Sequence, residues 1–244
     1  PASLTLKGTG SGRLSATLGN SGTGTNVTSL VKSGAGAWTL TAANTFSGST
    51  TISGGTLYLT GANSTTNISV AAGSVLGGSG SITNGPAVIA DAGSVEGGYG
   101  GSGSLTLYAL NFTGAGTGKV VNAMNYAANA AINVTSDNGL NLGGGAGSVK
   151  ITLGGAAPVG SGTAHIIQYV GVIGGTGFDG FALDVSGMSG LGGRSMLTLT
   201  NSPSYVDVIY SVDYPVWRGE ADGTWVTSSA TNVDLTANWG LAAS

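Results

Sequence analysis

Two pairs of carboxylates come first among the residues that could do chemistry. Asp91 and Glu96 are five positions apart, and so are Asp179 and Asp184. Paired carboxylates on one face are what glycan cleavage needs, one group giving a proton while the other acts as base or nucleophile. Neither run carries a nearby Lys or Arg, so each acid reads as an isolated solubilising group at a corner of the chain. The DGTW run, Asp222 to Trp225, stands with Asp213, Glu220 and Asp234 in a stretch whose turn oxygens would suit calcium. Its spacing matches neither an EF-hand loop nor the nonapeptide calcium repeat, and no metal ligand is assigned. His165 is the only histidine and sits in an alternating strand with no Ser/Asp constellation in its own motif. The glycine runs at Gly77 to Gly80 and Gly97 to Gly103 lack the following helix and Lys-Ser/Thr pair of a phosphate loop. The sequence therefore assigns no catalytic residue and no cofactor, and reads as a non-enzyme.

What remains is architecture. TTISGGTLYL, ISVAAGSVLGG and VIADAGSVEGG each place alternating residues before a glycine, then a small polar residue, then an apolar one. The glycines that align are Gly55, Gly73 and Gly93, almost evenly spaced along the chain. A near-constant period of about 20 residues is a repeat signature. Each unit offers a strand (Thr51–Ser53, Ile68–Val70, Val88–Ala90), a glycine corner that permits positive φ, and a second strand (Thr56–Leu59, Ser74–Leu76, Ser94–Glu96). One such coil cannot bury its apolar face alone. Stacking coils about 4.8 Å apart pairs the backbone of each with those above and below and closes a continuous core.

Composition agrees. The chain has 244 residues, 47 of them glycine, without a Gly-X-Y period, which excludes collagen. A hydrophobic content of 41% argues against disorder and makes the glycine tracts corners, not linkers. Seven basic residues with no basic stripe exclude nucleic acid as a partner. With ten acidic residues the net charge is only −3, so little repulsion opposes self-association. There is no cysteine, which is compatible with secretion, and no apolar run of transmembrane length. The opening Pro1 fits either removal of an export signal or a segment of something longer.

The stretch from Gly34 to about Ile82 resembles the autotransporter-associated β-strand repeat, also called the passenger-associated transport repeat. Gly34, Gly36, Leu40, Asn44, Thr45, Phe46, Gly48, Thr50, Ile52, Gly55 and Leu57 occupy the pattern's positions, and Trp38 stands where Leu or Thr is commoner. Lys32 matches the Leu-x-Lys-x-Gly-x-Gly run that leads into the repeat, and as a residue reads as a solvated corner side chain. The resemblance implies a right-handed parallel β-helix in a bacterial surface or secreted protein.

In chain order, residues 1–155 read as parallel β-helix coils, with Ala123 to Ala131 taken as strand despite its alanines. Residues 156–212 read as later coils ending in a hairpin, Met196 to Thr200 and Tyr205 to Val212, about the turn Asn201-Ser202-Pro203-Ser204. Residues 213–244 hold Tyr214, Trp217, Trp225 and Trp239. In tandem members of the family a similar aromatic segment begins the next unit; here it comes last. Its rings must be buried on something, either as a cap on the chain's own solenoid or by docking on the next copy. A heterologous contact that does not close makes a fibre. The reading is an all-β, right-handed parallel β-helix with a C-terminal antiparallel, aromatic β segment. It serves as a structural subunit of an extracellular or cell-surface fibre, sheath or matrix that assembles head to tail. Two alternatives stand beside it: a passenger adhesin binding host or polysaccharide, with exposed rings such as Tyr99, Tyr108, Tyr126 or Trp217 stacking on sugars, and a polysaccharide lyase or hydrolase.

Overall fold

The computed structural model describes residues 1–22, 26–99, 102–116, 119–123, 130–158, 160–192, 195–212, 215–217 and 239–241. Apolar residues alternating with Ser, Thr and Gly favour extended chain, and among the described residues there is no α-helix, only strands and the 3-10 turn Gly177–Gly180. The strands fall into two long ladders, one of thirteen strands and one of eight, in which nearly all pairs are parallel. Parallel neighbours that are one coil apart in sequence define a β-solenoid.

The first side stacks Ala2–Leu6, Thr28–Lys32, Thr50–Ile52 and Ile68–Val70, then the C-terminal halves of Ser81–Ile89 and Leu105–Phe112, and finally Leu140–Leu142 and Gly174–Gly175. The second side stacks Gly12–Leu14, Ala37–Leu40, Thr56–Leu59, Val75–Gly78, Ser94–Gly97, Lys119–Ala123, Val149–Ala156 and Phe181–Ser189. A third, narrow side begins as the single bridge Asn44 to Asn63 and continues through Ser81-Ile82, Leu105 to Leu107 and Ile132 to Asn133 into Gly160–Val170. The repeat shows two strands per unit in sequence; this third side is an addition the structure makes. It is only one or two residues wide in the early coils, too short for alternation to register.

The registers make columns of like residues along the axis. Leu6, Lys32, Ile52, Val70, Ile89, Phe112 and Leu142 succeed one another inside the first side. Trp38, Leu57, Leu76 and Val95 do so inside the second. Trp38 thus takes an inward position beside leucines and packs partly buried against the core, in the space left by Gly12, where a Cβ would lie 2.6 Å from its ring. Most of these side chains are fully buried, and each Leu or Ile so placed contributes about 1.5–3 kcal/mol. On the third side Asn44 donates to Asn63 at 2.9 Å, while each amide also donates to the carbonyl two residues before it. This two-rung asparagine ladder satisfies buried polar groups that no apolar column could.

One member of the first column corrects the sequence reading. Lys32 is not a solvated corner side chain but is wholly buried. Its Nζ donates to the carbonyls of Ser33 (3.2 Å), Gly34 (2.8 Å) and Gly54 (2.8 Å). Tight corners leave carbonyls turned away from the ladder, and an ammonium offers three donors. Burial lowers its pKa from the ordinary lysine value.

The parallel pattern ends on the third side. Tyr205–Val212 pairs antiparallel with Gly160–Val170, and Met196–Ser202 pairs antiparallel with Tyr205–Val212 about Pro203-Ser204. The hairpin is therefore present, with strands that run two residues into the four-residue turn read from the sequence.

Candidate functional site

The corners between the first and second sides set the coil. Gly55 (φ 66) and Gly73 (φ 69) are left-handed, as a sharp change of direction requires. In the next coil the left-handed residue is Ala92 (φ 58), and Gly93 follows it without positive φ. The left-handed position is the third after the last inward residue of the first side: Ile52 to Gly55, Val70 to Gly73, Ile89 to Ala92. Alignment on glycine alone misses this.

The carboxylate pairs are not brought to a common site. Asp91 turns onto the Gly114–Gly116 loop, where its Oδ2 accepts the Gly116 amide at 3.0 Å. Glu96 faces outward on the second side with its Oε2 3.5 Å from the Tyr58 hydroxyl, and burial raises its pKa. Asp179 belongs to the 3-10 turn, its carbonyl accepting from Gly147. Asp184 accepts from the Ser186 amide at 3.0 Å, and the hydrogen bonds of Ser186 hold its pKa below the usual value. Among the described residues no cluster of three His, Cys, Asp or Glu side chains could hold a metal.

His165 does have an acid beside it, contrary to the sequence reading. The hairpin register sets Asp207 opposite it, with Nδ1 2.6 Å from Asp207 Oδ1. Ser202 Oγ donates to the other carboxylate oxygen at 3.1 Å, and Tyr205 stacks on the imidazole at a centroid distance of 4.3 Å. A catalytic triad needs the imidazole between the hydroxyl and the acid. Here the carboxylate lies in the middle, so nothing activates the serine, and the cluster works as a clamp fastening the hairpin to the last long strand. The signal missed in sequence is an acid set between Val206 and Val208, which must find a donor once buried. Beside the clamp, Tyr169 donates to the Ser202 carbonyl at 2.9 Å and accepts from the Asn201 amide at 2.7 Å. A shallow cleft of about 410 Å³ follows, lined by Tyr169, Val172, Ile173, Phe178, Asn201 and Pro203.

Of the aromatic terminal residues, Trp217 and Trp239 are backbone register partners in a separate two-stranded antiparallel pair, Pro215–Trp217 with Trp239–Leu241. Tyr214 and Trp225 lie outside the described residues, as do Tyr126, most of Ala123 to Ala131, and Asp213, Glu220, Asp222 and Asp234.

The ends of the second side hold the other notable arrangement. Its outward column runs Arg13, Thr39, Tyr58, Gly77, Glu96 and, in the same register beyond the rung Lys119–Ala123, Thr152 and Asp184. The sole Arg of the column occupies the first rung and an acid occupies the last. Among the described residues, the strands bearing them, Gly12–Leu14 and Phe181–Ser189, each pair on one edge only.

Stacked parallel rungs, inward columns and a rod-like core define a parallel β-solenoid. Residues 30–58 of this solenoid match the family model of the passenger-associated-transport-repeat. That span includes the strands Ala37–Leu40 and Thr50–Ile52 and runs into Thr56–Leu59. The repeat is associated with autotransporter passengers, not with a catalytic family, and points to a protein at the cell surface or secreted. No curated protein matches the chain. No helix among the described residues is long and apolar enough to cross a membrane.

Proposed function

We propose that this chain is a structural subunit of a bacterial surface fibre, sheath or matrix, and that copies add head to tail along the solenoid axis. The supporting observation is the outward column of the second side. Addition of a further copy in the same register would set Gly12–Leu14 of one molecule beside Phe181–Ser189 of another and bring Arg13 against Asp184. Cross-strand pairs of opposite charge stabilise a ladder and penalise slipped registers. The contact is heterologous and does not close, which makes a filament. The hairpin extends the third side past the other two, so the following copy must seat its strandless segment 15–22 against Met196–Ser202. The aromatic segment with Tyr214, Trp217, Trp225 and Trp239 is assigned to the same junction, as cap or docking element, because rings of that size need a surface to cover.

The test is electron microscopy with sedimentation across a concentration series. Wild-type protein forms filaments; Arg13→Asp and Asp184→Arg each abolish them, and the double exchange restores them. Monodisperse monomers at high concentration would refute assembly, and filaments indifferent to either single reversal would refute this register.

A further inference from the structure

Midway along the outward face of the second side, two large side chains come together. Tyr58 and Glu96 stand two rungs apart in one column with Gly77 between them. With no side chain at Gly77, the Tyr58 ring lies across the rung; a Cβ there would come within 2.8 Å of its Cε1. The Tyr58 hydroxyl is thereby carried to 3.5 Å from Glu96 Oε2. Tyr99 comes from the corner after Ser94–Gly97 and meets Tyr58 edge-on, with centroids 5.1 Å apart and planes at 71°. Its hydroxyl lies 3.5 Å from Thr39 Oγ1. The corner holds it in place: Gly98 is left-handed (φ 84), and Tyr99 N donates to the Ser102 carbonyl at 2.8 Å. The result is an L-shaped notch with one ring as floor and one as wall, and with a carboxylate and hydroxyls around it. Tyr99 remains 43% exposed.

We propose that this notch is a binding subsite for one pyranose unit of a neutral glycan. A pyranose has a C–H face that packs on an aromatic ring and a rim of hydroxyls that seek acceptors. Tyr58 and Tyr99 supply the two faces, and Glu96, Thr39 and the phenol hydroxyls supply the rim partners. The polar contacts within the notch, at 3.5 Å, are at the outer limit of a hydrogen bond, so these groups keep most of their bonding capacity for a ligand. Glu96, which has no cation beside it among the described residues, and the net charge of −3 select against uronate and sulfated glycans. The two rings already touch without a ligand, so ordering them on binding costs little entropy. The site lies on the flank of the solenoid, away from its ends, and does not depend on head-to-tail assembly.

The experiment is calorimetric titration, with saturation-transfer NMR, of the full chain against hexaoses of β-1,4-glucose, α-1,4-glucose, xylose, mannose and N-acetylglucosamine, with hexagalacturonate as the anionic comparator. At least one neutral hexaose binds saturably and hexagalacturonate does not. Tyr99→Ala weakens that binding tenfold or more and Glu96→Gln weakens it measurably. Tyr108→Ala leaves it unchanged, since Tyr108 is equally exposed but lies on another strand. Circular dichroism checks each fold, and Tyr99→Phe, which keeps the ring, covers the case in which the alanine variant unfolds. Absence of saturable binding by every neutral hexaose overturns the proposal. So does binding that Tyr99→Ala and Glu96→Gln both leave intact, or binding lost equally in Tyr108→Ala.

Discussion

The coils from Thr28 to Gly98 and the segment from Ile132 to Val212 solve the same problem by different means. In the first region each rung follows the last after one short coil, as from Leu30 to Thr50 to Ile68 to Ala87. Further on the coil from Leu110 to Leu140 is half as long again, and the strand Gly160–Val170 outruns every strand of the first region. There the ladder ends in an antiparallel hairpin. A short coil has no slack, so its corners bring backbone against backbone and depend on glycine and on Lys32. A long coil has slack, and its hairpin is fastened by side chains: His165 to Asp207, Tyr169 to Asn201 and Ser202. Stability in the first region therefore resides in backbone space, and in the second in polar contacts between side chains.

The sharpest way to test that contrast is at two glycines of similar φ. At Gly55 a methyl group would meet the carbonyl oxygens of Gly36 and, at 2.5 Å, Gly34; at Gly73 it would meet nothing within 4 Å. Gly55→Ala should cost roughly 3 kcal/mol, the sum of left-handed strain and backbone overlap, and Gly73→Ala only about 1 kcal/mol. Urea unfolding followed by circular dichroism reads both, and equal losses would show that conformation alone governs the corners. Next in size, Lys32→Met takes the donor from three part-buried corner carbonyls and should cost about 2–3 kcal/mol. An unchanged urea midpoint would mean that water replaces the ammonium.

Asp207→Ala removes the acceptor shared by His165 and Ser202 and should cost about 2 kcal/mol, confined to the hairpin. Hydrogen exchange should speed up over 196–212 while residues 28–98 keep their protection; uniform acceleration would mean the two regions unfold as one. A smaller effect concerns pH. Burial raises the pKa of Glu96 above its ordinary 4.5, so between 4.5 and the raised value the folded state holds a proton that the unfolded state has released. Stability is therefore fullest below 4.5 and falls as pH rises through the folded pKa. Glu96→Gln should flatten that slope, and a pH series of melting temperatures that is identical in variant and wild type would remove Glu96 as its source. Smallest is Ala92→Gly, where relief of left-handed strain and the added freedom of the unfolded chain nearly cancel, to within about 0.5 kcal/mol.

Much of this was legible in the residues. Period-two alternation marked Ile52, Leu57, Ile68, Val70, Ile89 and Val95 as inward, and all six are fully buried. The Asn-Ser-Pro-Ser run marked the hairpin. Three things were not legible. Lys32 looked solvated because no local pattern shows that corner carbonyls await a donor. His165 looked solitary because its acid lies across a hairpin. The third side was invisible because a strand of one or two residues has no period.

The sequence by itself determined the solenoid, its inward faces and its glycine corners, since alternation and left-handed turns are encoded within a few neighbouring residues. Only the tertiary structure decided which side chains meet from coil to coil: Tyr58 with Glu96 and Tyr99, His165 with Asp207, and the column that runs from Arg13 to Asp184. Those meetings depend on register. Register follows from how each corner takes up coils of unequal length, as from Leu30 to Thr50 to Ile68 to Ala87, and contacts between coils settle that.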